Sequence, residues 1–258
     1  MAQALVPMIN SLKLDYCLNI SGAEGEISKQ KIEDFVTRCM RLYQESSASS
    51  KVETAEKADK GSSSTIESQP KDDLCLLAAM SLMGGISETQ SQPSDTALIR
   101  AAAILERLLR DSPHNYEALL LLVRIYCLLG AGSLAFSTFS KMSVKQMQYE
   151  TVAHNFFTRL ATIHPHSAPP VEGAEIKDFD PRAALLQALN FFRNADLTTM
   201  KYRTRGLDEG SYANVEEMVE LRRRLSNSIC RRMWALDVRR AQRLVGGGDS
   251  MTRYEEIG

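Results

Sequence analysis

The chain has 258 residues, of which 44% are hydrophobic and 24% are charged, a balance typical of chains that fold around an apolar core. Its formal net charge of −1 gives no overall electrostatic reason to expect nucleic acid or an anionic membrane as the main partner. The five cysteines are far apart and form no C-x-x-C pair, which argues against a disulfide framework and predicts reduced thiols in the cytosol or nucleus. The N-terminus lacks signal-peptide features, and no apolar run approaches the ~20 residues that cross a bilayer, so we expect a soluble intracellular protein.

Residues 1–44 are predicted to form N-terminal helices. Between residues 27 and 43, apolar side chains recur at three- and four-residue steps with Lys and Arg opposite, which indicates one amphipathic helix. Residues 12–20 alternate apolar and polar like a strand, but Ile9, Leu12 and Tyr16 also fit a helix, which is our interpretation. Residues 45–71 are dominated by Ser, Lys and Glu and cannot bury enough apolar surface to offset their ordering entropy, so a disordered linker is predicted there.

Helical patterns with clear end signals follow between residues 72 and 163. Two acids open the first of these helices, and Gly84 and Gly85 end it. A Ser-Asp start opens the second, and Pro113 lies just beyond its end. The predicted helices span residues 72–83, 95–110, 116–129, 133–142 and 144–163.

The remaining residues are predicted to form a loop, a helical pair and a tail. Residues 164–180 carry Pro165, Pro169, Pro170 and Gly173 and are predicted to be a proline-rich surface loop. Within residues 181–245, one helix is predicted at 181–195 and a long basic helix from about 212 to 245. Residues 246–258 begin with three glycines and are predicted to be a flexible tail. Because no convincing strand competes with the helices, the predicted fold class is all-α.

A repeat of about 34 residues that starts at Pro113 fits the tetratricopeptide (TPR) pattern. Gly130 permits a tight turn between two helices, and Ala135 is small where they cross closely. We therefore predict a TPR-like solenoid segment built of helical hairpins, although any antiparallel hairpin with a glycine turn produces similar apolar spacing. The positions with the size class that the pattern requires are Leu119, Leu122, Tyr126, Gly130, Ala135 and Phe139.

Two stretches of the chain resemble a known family. Residues 119–160 contain the helix end RIYCLLGA and, at residues 141–151, the phrase KMSVKQMQYET. Residues 200–233, MKYRTRGLDEGSYANVEEMVELRRRLSNSICRRM, look like a second part of the same family. The family is that of the auxiliary, non-catalytic subunit of the N-terminal acetyltransferase B (NatB) complex, known in fungi as a mitochondrial distribution and morphology and actin-organisation protein.

The resemblance implies a cytoplasmic scaffold without catalytic residues. It implies that the chain binds the catalytic acetyltransferase subunit and helps to position it at the ribosome, for acetylation of nascent chains that begin with Met followed by Asp, Glu, Asn or Gln. The acetyl-coenzyme A site belongs to the partner, so we expect no cofactor, no small-molecule substrate and no membrane partner. Family members are much longer helical solenoids, which makes this chain one portion of their length.

Other kinds of site find little support in the sequence. The closest histidine pair, His164 and His166, lacks nearby Cys or carboxylate groups with a metal-ligand spacing, so no metal site is predicted. Each cysteine lies in a helical stripe, where a buried structural thiol is the usual interpretation. No Lys-Ser/Thr pair follows the triple glycine that starts at Gly246, as a phosphate loop requires.

The predicted basic helix stands out among the predicted surface features because of its many arginines. Such a set of arginines could contact ribosomal RNA or an acidic face of a partner, but it could equally be a solvated helix face, because Glu216, Glu217, Glu220 and Asp237 offer compensating charges. Lys201, Arg203 and Arg205 lie upstream. The candidate contact residues are Arg222, Arg223, Arg224, Arg231, Arg232, Arg239 and Arg240, with Arg243 beyond them.

The sequence leaves two further functions as alternatives. A generic TPR-type adaptor would hold a peptide in a concave groove lined by Lys, Arg and Asn, whereas residues 119–122 are four leucines. An enzyme of unfamiliar type would need polar groups that converge in a pocket.

Overall fold

The computed structural model describes residues 2–21, 28–55, 68–84, 94–145, 148–169 and 179–246. Every regular element within these ranges is a helix, apart from a single antiparallel bridge between Ala168 and Phe179. The predicted all-α class is therefore confirmed. None of the helices in these ranges combines the length and the apolar character that a membrane crossing requires.

The chain divides into two compact units, Met1–Leu129 and Gly130–Gly258. The N-terminal unit contains α1 (Ala2–Tyr16), a π-helical turn (Cys17–Ser21), α2 (Lys29–Ala55), α3 (Asp72–Gly84), α4 (Asp95–Asp111) and α5 (Tyr116–Leu128). The C-terminal unit contains α6 (Gly132–Lys141), α7 (Gln148–Val152), α8 (His154–Phe157), α9 (Leu160–Ile163), α10 (Pro181–Asp208), α11 (Tyr212–Ser226) and α12 (Ile229–Leu244).

Helix α3 lies at the centre of the N-terminal unit. Its sequence, DDLCLLAAMSLMG, is apolar on nearly every side, and most of its residues are buried against α1, α2 and α4. Ion pairs connect these helices at the surface: Lys13 to Asp73 at 2.7 Å joins α1 to α3, and Arg100 to Glu33 at 2.7 Å joins α4 to α2. The apolar helix is therefore surrounded by amphipathic ones, as its composition requires.

A buried pair of side chains, Asp72 and Asn115, ties the start of α3 to the start of α5. Asn115 is the N-cap of α5, and its Oδ1 accepts a hydrogen bond from the N–H of Ala118 at 3.0 Å. Its Nδ2 donates to Asp72 Oδ2 at 3.2 Å, and the same oxygen accepts from the N–H of Gln69 at 2.9 Å. Because Asp72 is 0% and Asn115 only 3% exposed, water cannot easily replace these partners.

An aromatic core organises the C-terminal unit. The ring of Phe139 on α6 lies 5.4 Å from that of Phe156 and 5.7 Å from that of Phe157, measured between centroids. Trp234 on α12 lies 5.2 Å from Phe157 and 5.8 Å from Phe192 on α10. Aromatic pairs at such separations contribute about 0.5–1.5 kcal/mol beyond their buried area, so this cluster joins α6, α8, α10 and α12.

Helices α10 and α11 pack along each other after a well-defined start and a tight turn. Asp180 Oδ1 accepts from the N–H of Arg182 at 2.9 Å, and Pro181 occupies the first turn, where its missing N–H costs nothing. Gly210, at φ +69°, forms the turn into α11. A Cβ at Gly206 would lie 3.0 Å from Val215 Cγ2, so this glycine permits the close approach of the two helices.

The predicted linker begins as helix. Helix α2 continues to Ala55, so residues 45–55 are helical, because their Ala, Glu and Lys residues have good helix propensity. The rest of the linker prediction falls mostly on residues 56–67, and the loop and tail predictions fall partly on residues 170–178 and 247–258. These three segments lie outside the described residues.

Three predicted helices were wrong in their extent. The helix expected at residues 144–163 is replaced by α7, α8 and α9, because Thr158 is extended and Arg159 has a left-handed φ of 66°. The long basic helix expected from 212 to 245 is two helices, because Asn227 leaves helical geometry and Ser228 caps α12. In contrast, the helix expected at 181–195 continues to Asp208.

Candidate partner-binding surface

The N-terminus of α12 is held by Ser228 and Glu150. Ser228 Oγ accepts from the N–H of Arg231 at 3.1 Å and donates to the Glu150 carboxylate on α7 at 2.8 Å. Glu150 belongs to the phrase KMSVKQMQYET at residues 141–151, so this phrase supplies the acceptor that positions the basic helix. Trp234 and Val238 bury the inner face of α12, which leaves the opposite face outward.

Asp196 on α10 pairs with arginines from both neighbouring helices. Its carboxylate lies 3.2 Å from Arg231 Nη1 and 3.8 Å from Arg222 Nε. The side chain of Arg231 is only 16% exposed, and its guanidinium lies 5.8 Å from the centroid of the Phe192 ring, within cation–π range. Arg222 and Arg231 therefore connect α10, α11 and α12 rather than projecting freely from the surface.

Glu220 on α11 accepts hydrogen bonds from Arg223 and Arg224. Arg223 Nε and Nη2 donate to its carboxylate at 2.7 and 2.8 Å, and Arg224 Nε donates at 2.8 Å. The hydrogen bonds from Arg223 and Arg224 lower the pKa of Glu220 to about 2. Exposed pairs of this kind contribute little to stability, but Glu220 offsets part of the positive charge on α11.

Arg240 on α12 pairs with Asp237, one turn earlier. Its Nη1 donates to Asp237 Oδ1 at 2.7 Å and lies 3.5 Å from Thr162 Oγ1 on α9. Burial raises the pKa of Asp237, and the Arg240 charge and the nearby backbone of Arg159 oppose this only in part. Arg240 thus contacts α9 as well as Asp237 of its own helix.

Arg232 and Arg243 are the exposed arginines of α12 that keep their charge available. Neither forms an ion pair with any residue in the described ranges, and the nearest polar partner of Arg232 is Asn227 Oδ1 at 3.4 Å. Arg239, the last of the candidate set on this helix, is half-buried, and its Nε finds no hydrogen-bond acceptor within the described structure.

Three aliphatic side chains share the outward face of α12 with these arginines. Ile229 is 72%, Met233 39% and Leu236 54% exposed. They follow one another at steps of four and three residues, which places them in one line along a helix. The sequence prediction chose the arginines and missed these residues, although that spacing was the signal that could have found them.

The residues of the predicted repeat signature divide between the two units. Leu119, Leu122 and Tyr126 are buried in α5, and the Tyr126 hydroxyl donates to Glu106 on α4. In the C-terminal unit, Ala135 and Phe139 are buried in α6, and Gly130 has the left-handed φ of +70° that favours glycine. Their packing as one TPR hairpin stays a prediction.

The other polar groups considered from the sequence make structural contacts. The His164 ring lies edge-on to Phe179 with centroids 5.2 Å apart, and its Nδ1 is 2.8 Å from the His166 carbonyl oxygen. No group of three or more His, Cys, Asp or Glu that could hold a metal ion occurs among the described residues. A cavity of about 220 Å³ beside α7 is lined by aromatic residues such as Phe139 and Tyr149 and by the polar residues Ser140, Ser143 and Gln187.

Comparison with known proteins gives one family and several relatives. The family described as the N-acetyltransferase B complex (NatB) non-catalytic subunit matches residues 1–257. The chain is similar to "N-alpha-acetyltransferase 25, NatB auxiliary subunit" of Homo sapiens, with 31% identity over 163 residues that cover 63% of this chain and 15% of the human protein. It is also similar to "N-terminal acetyltransferase B complex subunit arm1" of Schizosaccharomyces pombe, with 28% identity over 157 residues, 59% of this chain and 18% of that protein. The chain therefore spans less than a fifth of the length of these two relatives.

Proposed function

Because the chain belongs to the family of NatB non-catalytic subunits, we propose that it is a scaffold segment that binds the catalytic subunit of a NatB complex. The match of the family over residues 1–257 is the observation that carries this proposal. The relatives are named as auxiliary subunits, and an auxiliary subunit acts through the partner that it holds. The proposal concerns the part of the scaffold that this chain supplies, since the human relative is much longer.

The finer functional expectations follow from the same family. We propose that the complex works in the cytoplasm, at the ribosome, and acetylates nascent chains that begin with Met followed by Asp, Glu, Asn or Gln. The acetyl-coenzyme A site and the reacting groups lie on the catalytic subunit in this scheme. The contribution of the scaffold is to order the partner on a rigid helical surface, which raises activity through preorganisation rather than through new chemistry.

Co-expression with the catalytic NatB subunit of the same organism tests the binding step. We expect the two proteins to elute together from a size-exclusion column at low salt, and the catalytic subunit alone to elute later. The catalytic subunit of a different N-terminal acetyltransferase complex is the matched control and should elute separately. Separate elution of the NatB subunit and this chain would contradict the proposal.

Two further measurements test the finer expectations. Acetylation of a peptide that begins with Met-Asp should be faster when the chain is present than with the catalytic subunit alone, whereas a peptide that begins with Ser should stay unmodified. Co-sedimentation of the complex with ribosomes should decrease as salt increases, because contacts with RNA phosphates release counterions. Equal sedimentation with and without this chain would remove its proposed role at the ribosome.

A further inference from the structure

The outward face of α12 combines exposed aliphatic side chains with arginines. We define it by Ile229, Arg232, Met233, Leu236 and Arg243, which lie within one arc of the helix because α-helical residues advance by 100° each. The inner face of the same helix is buried through Trp234, Ala235 and Val238. Helix α12 therefore has two apolar sides, and only one of them has a partner within the described structure.

The aliphatic line on this face has the spacing of a docking helix. Single exposed aliphatic residues are common on any surface, but Ile229, Met233 and Leu236 follow one another on consecutive turns and are 72%, 39% and 54% exposed. Anchors at positions i, i+4 and i+7 are those by which an amphipathic helix enters an apolar groove. Such a line, bordered by charged residues, is typical of a protein-binding site.

The charges on the face define the chemistry of its partner. Two acids of the C-terminal helices pair with arginines outside this face: Asp196 with Arg222 and Arg231, and Glu220 with Arg223 and Arg224. The α12 outward face itself contains no acidic residue, and Arg232 and Arg243 have no ion-pair partner in the described ranges. A complementary surface is therefore acidic at its edge and aliphatic at its centre.

The same composition favours a protein over RNA. RNA is bound through phosphate contacts and through stacking on aromatic side chains, and this face offers aliphatic groups instead. Arginines also occur between packed helices of this chain, as Arg231 does, so the melting temperatures of substituted chains separate docking from internal packing. Arg and Met are enriched at protein interfaces, and both residue types occur here.

We propose that the α12 outward face docks onto an acidic, aliphatic-centred surface of the catalytic subunit. This inference rests on the proposed function, since it names the place at which the scaffold meets that partner. It also changes the candidate set: Arg232 and Arg243 contact the partner, whereas Arg222, Arg223, Arg224, Arg231 and Arg240 serve intramolecular pairs. Glu150 and Ser228 act as positioning residues that hold α12 in place for docking.

The test uses two pairs of substitutions on the face and a matched control for each. The charge pair R232Q/R243Q is compared with R223Q/R224Q, which removes the same charge from α11. The aliphatic pair I229S/L236S is compared with L197S/L207S, two leucines of α10 that are 59% and 54% exposed. Affinity for the purified catalytic subunit is measured by calorimetry at low and high salt, and the melting temperature of each free variant is recorded.

We expect both face pairs to weaken binding by about tenfold or more, as central interface residues do, and both control pairs to bind as the unsubstituted chain does. The loss in the charge pair should be larger at low salt, because screening already weakens these contacts at high salt. Melting temperatures of the face variants should match those of their controls.

Other outcomes overturn the inference in distinguishable ways. If the unsubstituted chain does not bind the catalytic subunit, the proposed function fails together with the inference. If the chain binds but I229S/L236S binds equally well, the docking face is wrong while the function stands. A lower melting temperature for I229S/L236S than for L197S/L207S assigns the face to packing within the protein itself. Binding of a fluorescein-labelled single-stranded RNA that R232Q/R243Q alone abolishes assigns the face to RNA.

Discussion

Ser228 donates a hydrogen bond to Glu150 at 2.8 Å across 78 positions of sequence, while its own Oγ accepts from the N–H of Arg231 at 3.1 Å. One hydroxyl therefore caps α12 and joins it to α7. The carboxylate lies near the N-terminus of α12, where a negative charge interacts favourably with the helix dipole. The family phrase that contains Glu150 thereby gains a structural role.

Replacement of Ser228 by Ala should lower the free energy of unfolding by roughly 1–2 kcal/mol, because it removes the N-cap of α12 and the partner of Glu150. Ser226→Ala is the control: that side chain is exposed and donates only to the Arg223 carbonyl of its own helix, so a change within about 0.5 kcal/mol is expected. Urea unfolding of the two variants checks this. Equal losses would show that the tie to Glu150 contributes nothing.

Replacement of Asn115 by Ala should cost roughly 2–3 kcal/mol of unfolding free energy. The substitution removes the cap of α5 and leaves the buried Asp72 carboxylate with one fewer donor, and an unsatisfied buried group costs more than an exposed one. Ser94→Ala, which removes an exposed cap that only serves Ala97, should cost about 1 kcal/mol. If chemical denaturation gives the same loss for both, Asp72 does not depend on Asn115.

The pH dependence of stability should change in an Asp237→Asn variant. Burial raises the pKa of Asp237 above its ordinary value of 3.8, so the folded state binds this proton more tightly than the unfolded state does. The carboxylate therefore costs stability as the pH rises from below 3.8 through the raised pKa, and that cost stays at higher pH. The substituted chain lacks this cost, and its side-chain oxygen can still accept from Arg240.

We therefore expect Asp237→Asn to be at least as stable as the wild type at neutral pH, with an advantage that shrinks on acidification. Thermal unfolding at several pH values measures the difference. Asp208→Asn, at an exposed position of α10, should show no such pH-dependent difference. An advantage of the Asp237→Asn variant that grows as the pH falls would reverse the sign argued here.

The cysteines should differ widely in their reactivity toward iodoacetamide. Burial raises the pKa values of Cys39 and Cys75 to about 12 and that of Cys127 to about 11, so few thiolates form at pH 8, and the thiolate is the reactive species. Cys17 is exposed. Peptide mass spectrometry should therefore find Cys17 alkylated first, with Cys39 and Cys75 modified only after urea is added. Early labelling of Cys39 would contradict the packing of α2 against α3.

The helices that sequence patterns predicted well are those whose end signals are local. The first helix of the predicted TPR-like region was expected at 72–83 and runs Asp72–Gly84, and the helix expected at 116–129 runs Tyr116–Leu128. In both cases an acid or Asn at the start and a glycine at or near the end act within one turn of the residues that they terminate. Such signals define the ends of a helix without contacts from distant parts of the chain.

The features that the sequence could not predict depend on distant partners. Arg159 takes a left-handed conformation in the middle of an apolar pattern, where its backbone lies near Asp237 of α12, and no local signal predicts this break. The break at Ser228 was recoverable, because a serine just before an apolar helical run is a capping signal. In contrast, the sequence could not show which arginines form ion pairs within the chain, since Arg231 pairs with Asp196 on another helix.

The double pairing of Asp196 has a consequence for how this region can vary among related proteins. Arg222 and Arg231 reach the same carboxylate from two helices, so the loss of either arginine leaves the acid neutralised by the other. The loss of Asp196 removes the negative charge that both arginines share. The largely buried guanidinium of Arg231, beside Phe192, then has no carboxylate at Asp196 to pair with. Natural variation should therefore be broad at position 222, narrower at 231 and narrowest at 196, which makes the acid a better family marker than the arginines around it.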